Sequence, residues 1–216
     1  MKKKIGCLHA HYSNIDYIET ALSAYNFKLS HFVDPGLMQR VTSDPSFTEA
    51  EAERKVKDQV EWIVKTGVDA VLITCTNYIA LLKEETLNVP IIKIDEPYFE
   101  AICKIDEPQT ILFTNPNTVS GTMTRLQHYA QHHLKTLDIE VVVIENSFEI
   151  FMRGEKEKYQ REVANALKKQ NQQRIVSVAQ LSMVAAAQQV EREASMTIIN
   201  PLDTLVSSMV NQLKLS

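Results

Sequence analysis

The sequence predicts an α/β protein made of two similar doubly wound domains, each built on a parallel sheet. Short apolar runs alternate with longer amphipathic runs along the 216 residues. The short runs are continuously apolar, which is typical of parallel strands covered by helices on both faces. The end of one such run, Leu72-Ile73-Thr74-Cys75-Thr76-Asn77, also has a counterpart in the second half at Ser177-Val178-Ala179-Gln180-Leu181-Ser182. The sequence shows no strict internal repeat beyond the similarity of these two segments.

Each element follows from a local pattern. The apolar runs predict strands at 4–9, 28–33, 70–74, 91–94, 110–114, 140–144, 174–178 and 197–199. The amphipathic runs predict helices at 15–25, 48–66, 78–85, 98–103, 119–134, 156–170, 183–193 and 202–213. Thr48 and Glu51 have the spacing of a capping box, and Gly67 suits the positive φ at which a helix ends. Pro90 forces the residue before it into an extended conformation, which introduces the fourth strand.

The order of the elements predicts where the domains divide. Four strands precede residues 95–97 and four follow them, so we expect a first domain at 1–96 plus 200–216 and a second at 97–199. Ligands of open parallel sheets bind at the carboxyl ends of the strands. Two similar domains facing each other therefore predict an active site in the cleft between them.

Composition excludes several classes of protein. The net charge is -4 and the pI about 5.9, which disfavours binding to nucleic acid. No apolar run approaches the roughly 20 residues that span a bilayer, and the run after Lys4 does not fit a signal peptide, so we expect a cytoplasmic protein without membrane contact. Three cysteines without a CxxC pair argue against disulfides and a structural zinc site, and no metal is predicted. The phosphate loops of nucleotide cofactors are missing, and a homodimer is a reasonable default.

Cys75 is the most informative residue. It follows the buried run at 70–74 and precedes a helix that begins near Asn77. Unpaired backbone N–H groups at a helix N-terminus favour thiolate, so the sequence predicts a lowered pKa and a reactive sulfur. A cysteine is also a common small apolar core residue, and spacing alone does not separate the two interpretations.

Three segments resemble the aspartate/glutamate racemase superfamily. Cys75-Thr76-Asn77 resembles its first cysteine motif, Cys-Asn-Thr. The segment at 111–121, with Thr114, Asn117 and Thr118, resembles its central strand and Thr-rich helix start, and the segment at 5–9 resembles its first strand. The resemblance implies cofactor-independent proton transfer at a carbon next to a carboxylate. In racemases of the family, two cysteines flank that carbon.

The chain departs from this pattern at the second cysteine. The family has Gly-Cys-Thr at the end of the seventh strand, whereas this chain has Ala179-Gln180-Leu181-Ser182. Neither Cys7 nor Cys103 lies at the matching strand end, and core packing is the expected role of Cys7. A one-thiol enzyme remains compatible with isomerisation, with decarboxylation or with proton transfer to a different partner.

His9 and His11 are the candidate partners, because they follow the first strand and imidazole titrates near neutrality. Equally, they could only orient that loop. The sequence thus predicts a racemase- or isomerase-like enzyme acting on a small carboxylate, with a decarboxylase or an inactive carboxylate-binding protein as alternatives. The predicted catalytic residues are Cys75, His9 and His11. The predicted substrate contacts are Ser13, Asn14, Thr76, Asn77, Thr114, Asn117, Thr118, Gln180 and Ser182; Ser13 and Asn14 could instead cap the first helix.

Overall fold

The computed structural model describes residues 2–83, 87–171, 173–194 and 196–212. The chain forms two compact units, Met1–Asp95 with Val206–Ser216 and Glu96–Leu205. Each unit contains one four-stranded sheet, and every strand pair in both sheets is parallel. The predicted fold class, two similar α/β units with parallel sheets, is confirmed.

Each sheet has the same strand order. The first contains β1 (Lys3–His9), β2 (Phe27–Val33), β3 (Ala70–Ile73) and β4 (Ile91–Lys93), in the order β2-β1-β3-β4. The second contains β5 (Gln109–Phe113), β6 (Ile139–Val143), β7 (Ile175–Val178) and β8 (Ile198–Ile199), in the order β6-β5-β7-β8. The bounds of these eight strands agree with the prediction to within one residue at each end.

Matching hydrogen bonds make Cys75 and Gln180 equivalent positions in the two sheets. Thr74 N donates to Leu8 O at the end of the β1–β3 pair, at 3.1 Å. Ala179 N donates to Leu112 O at the end of the β5–β7 pair, at 3.0 Å. The residue after each donor is Cys75 in the first unit and Gln180 in the second. The similarity between the segments at 72–77 and 177–182 therefore reflects two copies of one strand–turn arrangement.

Ten α-helices lie in the described part of the chain. They are α1 (Asn14–Leu22), α2 (Pro35–Ser43), α3 (Glu49–Lys65), α4 (Thr76–Leu81), α5 (Asp95–Cys103), α6 (Val119–His132), α7 (Ser147–Met152), α8 (Lys156–Lys168), α9 (Val184–Ala194) and α10 (Pro201–Gln212). Two of these, α2 and α7, were not predicted. The periodicity is weak in α2 because it buries only Leu37, although Asp34 caps it and Pro35 occupies its first turn.

The predicted helix signals are present. Thr48 and Glu51 form both hydrogen bonds of the capping box at the start of α3, and Gly67 has a φ of 79° just after that helix. The predicted ends of two helices, at Glu85 and Leu213, lie outside the described residues. None of the described helices is long and apolar enough to cross a membrane.

Helices cover both faces of the second sheet. Side chains alternate between the two faces of a strand. Along β5, Leu112 packs into a cluster with residues of α8 and α9, whereas its neighbours Ile111 and Phe113 pack into a separate cluster with residues of α5 and α6. This two-sided burial explains why β5 is a continuous apolar run.

The first sheet shows the same alternation along β1. A Cβ atom placed on Gly6 would meet the side chain of Ile63 in α3, which therefore covers one face at close range. Cys7 and His9 point to the other face, where His31 of β2 bonds both His9 and Glu19 of α1. One face of β1 is thus apolar and tightly packed, and the other carries a buried polar network.

Candidate functional site

Cys75 lies at the carboxyl end of β3, where it caps α4. Its backbone is extended, with φ -115° and ψ 116°, and its carbonyl accepts from Ile79 N at 3.0 Å. Its side chain makes no capping hydrogen bond, but the backbone N–H groups of Asn77 and Tyr78 lie near the sulfur and act to lower the pKa of the thiol. Tyr78 is buried, and its hydroxyl donates to the carbonyl of Asp34, which ties α4 to the end of β2. The local fold thus places two N–H groups near the sulfur of a half-buried residue.

The expected lowering of the Cys75 pKa is wrong in sign for the protein without ligand. Burial of the sulfur raises its pKa, and the buried carboxylate of Asp95 raises it further. The hydrogen bonds from Tyr78 and Asn77 act in the opposite direction but are outweighed. Desolvation penalises an anion wherever water is excluded, and α4 has only six residues with which to offset it.

The raised pKa of Cys75 predicts slow alkylation of its thiol. At neutral pH, iodoacetamide should label Cys75 more slowly than a free thiol, because less of the reactive thiolate is present. The rate should continue to rise with pH beyond the point at which a free thiol has levelled off. Peptide mapping after timed labelling between neutral and alkaline pH would measure this profile. A half-maximal rate at or below the pH of a free thiol would contradict the assignment of desolvation as the dominant effect.

The loop between β1 and α1 is held against the end of β3. Asn14 Nδ2 donates to Thr74 Oγ1 at 3.2 Å, next to Cys75 in the chain. His11 Nδ1 contacts Ser13 Oγ at 2.8 Å and accepts from Ser13 N at 3.2 Å. Ser13 makes no side-chain capping bond, so its expected alternative role as a helix cap is not observed. The structure thereby places Asn14 next to the turn that carries Cys75. It also pairs His11 with Ser13.

His9 is not available as an acid or base for a substrate in this arrangement. It is fully buried, and both ring nitrogens are engaged, Nδ1 with Thr74 Oγ1 at 2.8 Å and Nε2 with His31 Nδ1 at 2.9 Å. Burial and the neighbouring His31 lower the pKa of His9 to about 4, so the ring is neutral at pH 7. The prediction of a substrate-facing His9 is therefore corrected, because tertiary packing directs this side chain into the core.

His31 and Glu19 were missed by the sequence analysis. His31 is the register partner of Cys7 across the β1–β2 pair, and its Nε2 lies 2.9 Å from Glu19 Oε1. Neither residue stands in a recognisable motif. The only signal in the sequence is a histidine within a strand, and its meaning depends on strand register.

In the second unit, Gln180 is bound to the turn after β5. Its Oε1 accepts from Thr114 N at 2.6 Å, Thr114 Oγ1 at 2.8 Å and Asn115 N at 3.1 Å. One amide oxygen thus satisfies two consecutive backbone N–H groups and a hydroxyl. The side chain at the position equivalent to Cys75 thus fastens the end of β7 to the end of β5.

Thr114 and Ser182 join the same network through Tyr159. Tyr159 Oη lies 3.0 Å from Thr114 Oγ1 and 2.7 Å from Ser182 Oγ. Thr114 is buried, and both its N–H and its hydroxyl are used within the protein, so we assign it to holding the turn rather than to substrate contact. Tyr159, on α8, was not predicted as a site residue because its spacing on the helix is that of an ordinary core position.

Asn117 and Thr118 lie in a short 3₁₀ turn, Pro116–Thr118, that leads into α6. Asn115 Oδ1 accepts from Asn117 N at 3.0 Å, and Thr118 Oγ1 donates to Asn115 O at 2.8 Å. The turn therefore uses the Thr118 hydroxyl internally, whereas the Asn117 side chain is exposed. Both the structural and the ligand-binding interpretations of this turn remain compatible with these contacts.

Replacing Gln180 with leucine should destabilise the second unit by about 1–3 kcal/mol, since the buried Thr114 N–H loses its acceptor. Gln180→Glu keeps an acceptor oxygen and should retain most of the stability. Urea denaturation of both variants, with Gln189→Leu on the exposed face of α9 as a surface control, would measure the difference. Equal stability of the leucine and glutamate variants would show that these hydrogen bonds contribute little.

A groove of about 410 Å³ lies beside α3, apart from the cysteine turn. It is lined by Phe32 and Asp34 from the end of β2 and by Gln59 and Trp62 from α3. Trp62 is 66% exposed. Cys75 does not line this groove, and we do not assign it to the chemistry of the thiol.

Solved structures with the same arrangement are racemases. The aspartate racemase of Picrophilus torridus matches with a TM-score of 0.70 at 10% identity, covering 99% of this chain and 95% of that one. The allantoin racemase from Klebsiella pneumoniae matches with 0.64 at 20% identity, covering 100% and 90%. The glutamate racemase from Campylobacter jejuni matches with 0.67 at 12% identity, covering 99% and 87%. No family model matches the sequence, and no curated protein is similar to it at a significant level.

Two four-stranded parallel sheets with the same strand order define the class as a duplicated α/β fold. The chain has the fold that these aspartate, allantoin and glutamate racemases share.

Proposed function

We propose that this protein is a cofactor-independent racemase- or isomerase-like enzyme that acts on a small carboxylate, or a related acid, through Cys75. The observation that carries the proposal is the sulfur itself. It belongs to a half-buried residue at the carboxyl end of a central strand and lies near two backbone N–H groups, in the fold of enzymes that are racemases. Cytoplasmic location, independence of a cofactor and a homodimer remain predictions from the sequence.

The proposed chemistry is a proton transfer at carbon. The Cys75 thiolate removes the proton from the carbon next to the carboxylate, and the electron pair left by the C–H bond delocalises into the carboxylate. Return of a proton to the same carbon completes the reaction, on the opposite face in racemisation. Such a carbon acid is weak, so the sulfur must be close to it and shielded from water. Binding of a substrate also has to favour the thiolate, because the pKa of Cys75 is raised in the free protein.

The other groups fall into two sets. Around the thiol, we propose Thr76, Asn77, Ser13 and Asn14 as substrate contacts and His11 as the proton partner. His11 is half-buried, and no hydrogen bond of its Nε2 occurs among the described residues. In the second unit, we propose Gln180, Ser182, Asn117 and Thr118 as contacts.

One observation favours two alternative functions. Gln180 occupies the position equivalent to Cys75, and an amide neither gives nor takes a proton at neutral pH. The fold therefore carries one thiol where a symmetrical racemase needs two. A decarboxylase-type reaction needs only one proton donor, and a carboxylate-binding protein needs none.

Exchange of the α-proton in D₂O tests these possibilities together. The protein would be incubated with each enantiomer of aspartate, glutamate and a 5-substituted hydantoin, with allantoin, and with a 2-substituted malonate. Proton NMR would follow loss of the α-proton signal, polarimetry the racemisation and gas analysis the release of CO₂. Exchange detects removal of the proton even when it returns to the same face, so a one-thiol enzyme is not overlooked.

The outcomes separate the alternatives. Exchange with racemisation supports the racemase, and release of CO₂ supports the decarboxylase. Saturable binding measured by calorimetry, without exchange and unchanged in Cys75→Ala, favours the carboxylate-binding protein. If no compound in the set exchanges, decarboxylates or binds, the proposal of a small-carboxylate enzyme is rejected for these substrate classes.

A further inference from the structure

A cysteine and two histidines converge within the core of the first unit, outside the proposed Cys75 site. Cys7 and His9 are two residues apart on β1 and so share one face of the sheet. His31 is paired in register with Cys7 on the neighbouring strand β2 and joins them on that face. Each residue offers one ligand atom, and these three atoms lie within 4.8 Å of one another. Cys7 and His9 are completely buried.

The outer nitrogen of His9 has a hydrogen-bond partner in the protein. Thr74 Oγ1 lies 2.8 Å from His9 Nδ1 and accepts its N–H in the tautomer in which the hydroxyl donates to Leu8 O at 3.3 Å. In that tautomer the inner nitrogen, Nε2, presents a lone pair for a ligand.

The outer nitrogen of His31 carries its N–H as well. A carboxylate only accepts, so His31 Nε2 donates to Glu19 Oε1 at 2.9 Å. The inner nitrogen of His31, Nδ1, lies 2.9 Å from His9 Nε2 and forms a hydrogen bond with it in the chain without metal. A cation placed between the two nitrogens takes the place of the shared proton, which moves to His9 Nδ1 and is accepted by Thr74 Oγ1.

We propose that Cys7, His9 and His31 form a binding site for a zinc ion. Thiolate sulfur and imidazole nitrogen are the ligands that zinc prefers in proteins. The outer ring nitrogens already contact Thr74 and Glu19, and such partners fix the tautomer and orientation of metal-bound histidines. Glu19 also adds a negative charge close to the site.

The two nitrogens already lie near the separation that a zinc ion requires. Zn–N bonds of about 2.0–2.1 Å in a tetrahedral arrangement place two nitrogens about 3.3 Å apart. The two imidazoles therefore need to separate by a few tenths of an ångström from their present 2.9 Å. On binding, a sulfur–zinc bond forms and the thiol proton of Cys7 passes to solvent. The thiolate and the Glu19 carboxylate together balance the two positive charges of the ion.

The site would connect the elements beneath the proposed active centre. Its ligands lie on β1 and β2, and their hydrogen bonds reach α1 through Glu19 and β3 through Thr74. Thr74 also receives Asn14 and precedes Cys75. Complete burial of two of its ligands leaves no route for a substrate, so the ion is expected to stabilise the fold, with a water molecule as the fourth ligand beside the three residues.

Cobalt(II) is the probe of choice because it replaces zinc and reports sulfur ligation by a charge-transfer absorption. The full-length protein would be freed of metal with a chelator, dialysed and titrated with Co²⁺, and the stoichiometry of added Zn²⁺ would be measured by elemental analysis. We expect one ion per chain and a sulfur-to-cobalt band. Cys7→Ser should abolish the band, and Glu19→Gln should weaken binding by about 10–100-fold.

Two matched controls identify which cysteine supplies the sulfur ligand. Cys75→Ser and Cys103→Ser remove the other thiols and should keep the band and the stoichiometry. If Cys7→Ser fails to fold, the two controls still decide, since a band that survives both removals comes from Cys7. Absence of stoichiometric binding by the wild-type chain, absence of the sulfur band, or its loss in either control overturns the proposal. This readout needs no turnover, so it is independent of the proposed function.

Discussion

Cys75→Ser is expected to lower the rate of α-proton exchange by about 10³-fold, because a positioned proton-transfer group contributes on the order of 10²–10⁴ to a rate. The serine hydroxyl fills nearly the same space but does not ionise near neutral pH, so proton removal loses its base. The backbone N–H groups of Asn77 and Tyr78 remain near the side chain of residue 75. The fold and the affinity for substrate should therefore change little.

The measurement is the initial exchange rate in D₂O for whichever compound is turned over, together with a binding curve. Cys103→Ser is the matched control, since Cys103 is buried in the second unit, within the cluster around Phe99 and Leu126. That variant should retain wild-type exchange after allowance for the fraction folded. A Cys75→Ser protein that exchanges at the wild-type rate would remove Cys75 from the mechanism.

Gly6→Ala is expected to destabilise the protein by about 1–3 kcal/mol or more, which is the usual cost of adding atoms to a packed core. Gly6 lies within β1, and an added Cβ would stand 2.2 Å from Ile63 Cγ2 and 3.5 Å from Val68 Cγ1. Ile63 is almost fully buried on α3 and is stiff because it branches at Cβ. The helix itself must therefore move away from the sheet.

Chemical denaturation followed by circular dichroism would measure this loss. Gly36→Ala is the control, since its added Cβ would contact only Asp34 Oδ1 at 3.3 Å, at the start of α2. The double variant Gly6→Ala, Ile63→Ala removes the clashing atom, and a favourable coupling energy in the double-mutant cycle is expected. Equal stabilities of Gly6→Ala and Gly36→Ala would contradict the close approach of α3 to β1.

The parallel sheets were predictable because their strands are buried on both faces. The run Val71-Leu72-Ile73 has no polar alternation, so its identity as a strand does not depend on knowing its neighbours. In contrast, α2 buries only Leu37 and escaped detection. Its start signal, Asp34 followed by Pro35, is local, but a capping residue without a periodic apolar face does not predict a helix by itself.

The position of the thiol was also predictable. Cys75 follows a buried strand and precedes a helix, and both features are local. The pKa of that thiol was not predictable, because it depends on how closely other chain segments surround the sulfur. The local N–H groups of Asn77 and Tyr78 act as expected, yet desolvation and Asp95, twenty positions along the chain, outweigh them.

By itself, the sequence determined the fold class, the eight strands and the placement of one cysteine at a strand end, since each depends on the order of residues within a short window. Only the tertiary structure decided that His9 turns into the core towards His31, and that Gln180 binds the Thr114 turn. Both contacts join residues that are far apart in the chain. Strand register and helix packing bring them together, and one sequence read without relatives contains no direct signal of either.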